Sequence, residues 1–204
     1  MPAPESTETP GATVSGVGPR LRALRKEQGM SARALAATLG ISASAISQIE
    51  RGVMRPSVSR LIAITDALAV PLASVFDEQA DIAEELSATA AGFALQRAEH
   101  SSVVMLDSGV TFRRLSPGAT PGVDYFESTY PPGSTAHVEG ELFRHDGYEV
   151  GTVIRGELTV DFGSERVVLR PGDAISYPCS RPHRLFNEGA QDAVAQWLIV
   201  HALR

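Results

Sequence analysis

The sequence predicts two domains of different class: an all-α domain of five short helices over residues 17–76 and an all-β domain over residues 93–204. Three observations predict this. Apolar residues recur at helical spacing through the first segment. Short strand-like runs separated by turn residues fill the second. Charge divides at the same boundary. Residues 17–76 hold eight Lys and Arg against three acids, a net +5, and residues 77–204 hold ten Arg against nineteen acids, a net −9. The basic part is suited to approach a polyanion and the acidic part is repelled by one, so the two are expected to meet different partners.

Composition excludes several classes. At 43% hydrophobic and 21% charged residues, the chain has a globular balance rather than that of a wholly disordered one. No apolar run approaches the roughly 20 residues that a membrane span needs, so no membrane partner is expected. The start, MPAPESTETPGATVSG, has neither the basic nor the apolar region of a signal peptide. Cys179 is the one cysteine, which rules out an intrachain disulfide and favours a reducing, cytoplasmic setting.

Residues 1–16, rich in Pro, Gly, Ser and Thr, read as a disordered tail. Leu21 and Leu24 then open the helical pattern, and Met30 follows the break at Gly29. Leu35 and Leu39, Ile46 and Ile49, and Leu61, Ile64 and Leu68 continue it at spacings of three and four. Ser31, Ser42 and Ser57 are each placed to cap a helix start. Residues 77–92 read as a polar linker. After them come VTFRRL, DYFESTY, EVGTVI, ELTVDF, ERVVLR, AISYP, HRLFN and AVAQWLIVHAL, parted by turns such as Pro132-Gly133, Arg155-Gly156 and Pro171-Gly172-Asp173. That spacing indicates a β-sandwich or barrel.

Within the helical domain, LAATLGISASAISQIERG places a tight turn at Gly40 between two helices, with Ser42 capping the second. A helix-turn-helix of this kind can lay its second helix in a DNA major groove, and an ordinary αα-hairpin is the plainer alternative. The stretches LRALRKEQGMS, ALAATLGISASAISQIERG and RPSVSRLIAITDALAVPLASVF resemble the phage-repressor-like (XRE) helix-turn-helix family across residues 17–76. The resemblance implies that Glu50 pairs with Arg25, tying the recognition helix to the first. It implies a DNA interface of Ser42, Ala43, Ser44, Ser47 and Gln48 at the start of the third helix, with Ser31, Arg33, Arg51 and Arg55 as phosphate contacts. Gln48 can pair with adenine, and Ala43 can only touch a thymine methyl.

In the β domain, His145, Glu149 and His183 are ligand types of a two-histidine, one-carboxylate metal site. His145 and Glu149 are an even number of residues apart, which puts both on one face of an extended chain. The segment from about residue 110 onward resembles the cupin family, which implies a double-stranded β-helix or jelly-roll barrel. His145, Glu149 and Gly156 match its first motif, and Pro171-Gly172-Asp173, Pro178, His183 and Asn187 its second. Phe143 stands where the first motif carries another histidine, and it cannot ligate. One divalent metal (Fe, Mn, Ni or Zn) on His145, Glu149 and His183 is therefore one expectation. A pocket in which His145, Tyr148, Glu149, Tyr177 and His183 bind an organic effector is the other. His137, His100 and His201 have no motif position and default to the surface or to supporting roles. Cys179 is expected to be a small buried apolar residue, and Trp197 a core residue.

The two resemblances together look like a class of bacterial transcription regulators. They imply a homodimeric protein, more often a repressor, that binds double-stranded operator DNA and whose cupin senses a small molecule or metal. The same layout also resembles the mononuclear iron epoxidases of helix-turn-helix–cupin type, in which His145, Glu149 and His183 would hold iron.

Overall fold

The computed structural model describes residues 14–76, 92–97, 101–118, 120–137 and 141–201. Four α-helices lead the chain: α1 Val17–Glu27, α2 Ala32–Thr38, α3 Ala43–Glu50 and α4 Val58–Leu68. The Oγ atoms of Ser31, Ser42 and Ser57 each accept a bond from the backbone N–H three residues on, so all three serines cap helices. Gly40 makes the turn between α2 and α3 at φ +65°, a conformation glycine adopts without a Cβ clash.

The expected fifth helix is instead the single 3-10 turn Leu72–Val75. Its neighbours explain this. Ala69 ends α4 in the left-handed region at φ 54°, and Phe76 is already extended. Pro71 starts the new segment without an N–H. Four residues remain between them, too few to sustain an α-helical hydrogen-bond ladder.

Leu21, Leu24, Leu35, Ile46, Ile49, Leu61, Ile64 and Leu68 fill the space between the helices. At Gly18, α1 meets the backbone of α3 directly, since a Cβ there would lie 2.2 Å from the Ile49 carbonyl oxygen. The Arg25–Glu50 pair spans the same two helices with two bonds, Nε to Oε1 at 2.5 Å and Nη2 to Oε2 at 2.8 Å. A third bond, from Arg25 Nη1 to the Met30 carbonyl, occupies the rest of the guanidinium.

The β domain comprises β1 Val14–Ser15, β2 Val103–Met105, β3 Thr111–Arg114, β4 Val123–Tyr130, β5 Tyr148–Arg155, β6 Leu158–Asp161, β7 Arg166–Leu169, β8 Ala174–Pro178, β9 Arg184–Phe186 and β10 Ala193–Val200. A seven-stranded sheet runs β1-β2-β3-β4-β10-β5-β8 and faces a three-stranded sheet β7-β6-β9. Along β10, Ala193, Ala195, Trp197 and Ile199 point inward and are buried, as the two-residue period requires. Trp197 is a core residue, and its Nε1 donates to Ser128 Oγ.

The expected tail over 1–16 overlaps β1, because Val14 and Ser15 pair in parallel with Val103 and Val104. The edge of β2 supplies the partners that their backbone lacks in solution. Residues 1–13 and 77–91 lie outside the described residues, as does His100.

The two domains share one hydrophobic core. Three hydrogen bonds cross the boundary: Ser59 N–H to the Ala136 carbonyl at 3.0 Å, Asp107 N–H to the Pro56 carbonyl at 2.9 Å, and Ala73 N–H to Asp124 Oδ1 at 3.0 Å. The Val58 and Ile62 side chains of α4 reach into the barrel mouth, where they line the interior alongside Phe112, Phe126 and Trp197.

Replacing Glu50 by Ala leaves Arg25 buried without its partner. It should lower stability by about 3 kcal/mol in urea denaturation. A loss below about 1 kcal/mol would show that the pair does not hold α1 to α3.

Candidate functional site

Two surfaces and two interiors bring the expected residues together. On the helical domain, α3 is two-faced. Ile46, Ile49 and Glu50 point into the core, while Ala43 and Ser44 are exposed and Ser47 and Gln48 half-exposed. Gln48 Nε2 reaches Ser44 Oγ at 3.4 Å, one turn back. Ser31, Arg33, Ser42, Arg51 and Arg55 are exposed as well. Ser31 and Ser42 spend an acceptor on their caps and keep a hydroxyl proton to donate. Arg51 Nε bonds the Ser47 carbonyl at 3.1 Å, which leaves its remaining donors free to meet a phosphate.

In the barrel, His145, Glu149 and His183 converge. His145 Nε2 lies 3.8 Å from Glu149 Oε1, and His183 Nε2 lies 3.7 Å from Glu149 Oε2. These gaps exceed a hydrogen bond. They match two donors that each sit about 2.1 Å from one shared ion. The other nitrogen of each ring is occupied: His145 Nδ1 by the Asp146 carbonyl at 3.1 Å and His183 Nδ1 by the Arg181 carbonyl at 2.8 Å. Both bonds place the proton on Nδ1 and turn the Nε2 lone pair inward, the usual support of a ligating histidine.

Burial shapes the charge of the site. It pushes His145 down to about 4, with a further push from His183, and it lowers His183 too. Both rings are therefore neutral near pH 7. Burial pushes Glu149 up to about 7 against an opposing contribution from Tyr177. His145 Nε2, Glu149 Oε2 and the Tyr177 hydroxyl are all buried without a hydrogen-bond partner. A divalent ion would satisfy the first two at once, so the residues present fit a metal.

The route to this convergence differs from the expected one. His145 and Glu149 do not share a continuous strand, because the chain bends at Asp146–Gly147, with Gly147 at φ +113°. Phe143 pairs with His183 through two backbone bonds of 2.9 Å and stacks on His145 at 5.5 Å, filling the place of the missing histidine. Tyr177 does line the interior, 4.9 Å ring to ring from His183. Tyr148 does not. It is 45% exposed, because it precedes Glu149 on β5 and the pleat turns it to the outer face.

Sequence reasoning missed three contributors. His137 is buried among Phe143, His145 and His183, and no motif spacing marks it. Val58 and Ile62 close the interior from the other domain, which no local pattern could show. Cys179 is buried as expected, yet its Sγ lies within 4.8 Å of ligand atoms of His145 and Glu149, forming a second possible metal-binding group with them. Burial and the nearby Glu149 push its thiol up to about 12.

Space separates the two kinds of ligand. Among the described residues, the interior bordered by His145, Glu149 and His183 leaves about 20 Å³, room for one ion or one water. A larger cavity of about 410 Å³ opens at the seam between the domains. Ile62, Thr65 and Val70 wall it on one side and Pro121, Ile199 and His201 on the other, and His145 borders both spaces. His201 Nε2 pairs there with Asp124 Oδ2 at 3.0 Å, and that bond raises its pKa.

Comparison with known proteins agrees with this layout. Residues 21–75 match the family described as Helix-turn-helix, and residues 126–201 match the Cupin domain family. The chain is 29% identical to the HTH-type transcriptional regulator PuuR of Escherichia coli (strain K12), over 85% of this chain and 88% of that one. A crystal structure of an HTH_3 family transcriptional regulator from Vibrio cholerae superposes with a TM-score of 0.64 at 24% identity, over 92% of this chain and 96% of that one. A structure of apo-HppE is more distant, with a TM-score of 0.44 at 17% identity over 92% of this chain and 99% of that one. The chain therefore belongs to the transcriptional regulators that join an XRE-type helix-turn-helix domain to a cupin domain.

Proposed function

We propose that the protein binds operator DNA as a homodimer through α3, and that occupancy of its cupin domain sets operator affinity. The observation that carries this reading is the position of α4. Its Val58 and Ile62 share one wall with His145, Glu149 and His183. A change inside the barrel therefore acts directly on a helix that packs against the DNA-reading pair. An effector shifts DNA affinity only if it binds the two states of the protein differently, and a shared wall supplies that difference.

At the DNA, Gln48 reads a base from the major groove, while Ser44 and Ser47 offer less selective contacts and Ala43 an apolar one. Ser31, Ser42, Arg33, Arg51 and Arg55 hold phosphates and set the register. In the barrel, His145 and His183 present neutral Nε2 atoms and Glu149 a carboxylate to a divalent ion. The ion, when bound, supplies a compact positive charge that keeps Glu149 ionised. His145 and His183 keep their orientation through the Asp146 and Arg181 carbonyls. An organic effector takes the seam cavity, whose roughly 410 Å³ falls in the range of small-molecule sites, rather than the barrel. The same lack of room beside the ion argues against a mononuclear iron oxygenase, which must seat a substrate there.

The second copy docks on the outer face of the large sheet. Tyr148 and Val150 of β5 flank Leu198 and Val200 of β10, and Tyr125 of β4 follows in register. Tyr125, Tyr148, Val150 and Val200 are exposed, an apolar patch of the kind that marks an interface. A symmetric operator requires such a dimer.

Gln48→Ala should weaken binding to the promoter fragment by about 1–3 kcal/mol and relax one base position. Arg51→Ala should weaken all sequences alike. Unchanged binding by Gln48→Ala in a mobility-shift titration removes Gln48 as a base reader. Tyr148→Glu combined with Val150→Glu should turn a dimer into a monomer in light scattering. A double variant that stays dimeric places the interface elsewhere.

A further inference from the structure

We infer that His137, which lies outside the cupin motif, is the third imidazole ligand of the barrel metal site and takes over the role that Phe143 has lost. The inference rests on the metal reading given above for His145, Glu149 and His183.

His137 is 5% exposed, and neither of its ring nitrogens has a hydrogen-bond partner. An imidazole carries one donor and one acceptor, and leaving both unmet in the interior is costly. Natural proteins rarely leave such a group without a water or an ion as partner. Burial, with His183 next in effect, pushes it down to about 3, so the ring is neutral and offers a lone pair. His145 and His183 differ from it in one respect: each has a backbone carbonyl holding its second nitrogen.

The geometry fits a shared ion. The centroid of a ligating imidazole sits about 3.2 Å from its metal, so two rings on one ion lie no more than roughly 6.4 Å apart. His145 and His183 are 5.5 Å apart, and His137 and His183 are 6.1 Å apart and nearly perpendicular. The Phe143 ring packs between the two outer histidines, 5.8 Å from His137 and 5.5 Å from His145. His137 thus reaches the site from the loop that precedes Phe143 and enters beside the ring that replaced a ligand. Three neutral nitrogens and one carboxylate suit a divalent first-row metal.

The position has a consequence for regulation. Ala136, the preceding residue, accepts from Ser59 N–H of α4 and donates to the Leu185 carbonyl. A metal bond at His137 would therefore fix the loop on which the helical domain is hung.

The test uses the full-length, metal-stripped protein and Co²⁺ as the probe. Binding is followed by equilibrium dialysis and by the visible absorption of the bound ion. Wild type should bind one ion per chain. His145→Ala should lose binding, and His137→Ala should weaken it by roughly 10- to 100-fold with an altered spectrum. Circular dichroism identifies any variant that has failed to fold. Adding Phe143→His to His137→Ala restores a motif ligand and should recover affinity to within about threefold of wild type. Wild-type affinity and spectrum in a folded His137→Ala, with binding lost in His145→Ala, overturn the role of His137 and leave the three-residue site standing. Absence of Co²⁺ binding by wild type overturns both. If His137→Ala does not fold, the spectrum decides: Phe143→His alone should change it by adding a fourth nitrogen near the ion, and an unchanged spectrum counts against the site.

Discussion

The structure depends most on the way α4 is built into the mouth of the barrel. Ser59 N–H is one of the orphan donors at a helix start, and the Ala136 carbonyl of the β domain receives it. Ser57 caps the same helix, and Ser57 Oγ lies 3.1 Å from Ser59 Oγ. Val58 and Ile62 then turn their side chains toward the barrel, while Leu61, Ile64 and Leu68 are buried with the helical core. One helix therefore belongs to two cores. Neither domain can relax there without exposing apolar surface or stranding a backbone donor.

That constraint gives the chemistry of the barrel a route to the DNA. The recognition helix is not free to move alone, because Glu50 ties it to Arg25 of α1 and Gly18 holds the two backbones together. A rearrangement under Val58 must therefore shift the helical domain as a body relative to the sheet. Two such domains on a two-fold dimer would change their spacing and so their match to two half-sites. The seam cavity lies on the other side of α4, with His145 in its wall, so two ligands of different size would push on the same helix.

Much of this was legible in the sequence because it is local. Serine caps, the left-handed Gly40 and the apolar spacing of Leu61, Ile64 and Leu68 follow from a few consecutive residues. Eight strand-like runs became β3 to β10 because alternation and turn residues mark them. β1 and β2 carry two and three residues, too few to show a period. The face of Tyr148 depended on where the bend at Gly147 ends, and an even count from His145 hid that bend. The ligand types of His145, Glu149 and His183 could be named from motif positions, but the small volume around them could not. His137 became visible only once its loop was folded under Phe143, because nothing in its own neighbours distinguishes it from a surface histidine.

The measurement that bears most directly on the account is operator affinity of the full-length protein, metal-stripped and then saturated with Co²⁺, on DNA from its own promoter. The shared wall at Val58 and Ile62 predicts that the two dissociation constants differ by at least about fivefold, the lower end of allosteric coupling between sites. Equal constants, in protein shown to have bound the ion, would mean that the barrel and the DNA-binding domain are packed together without being coupled.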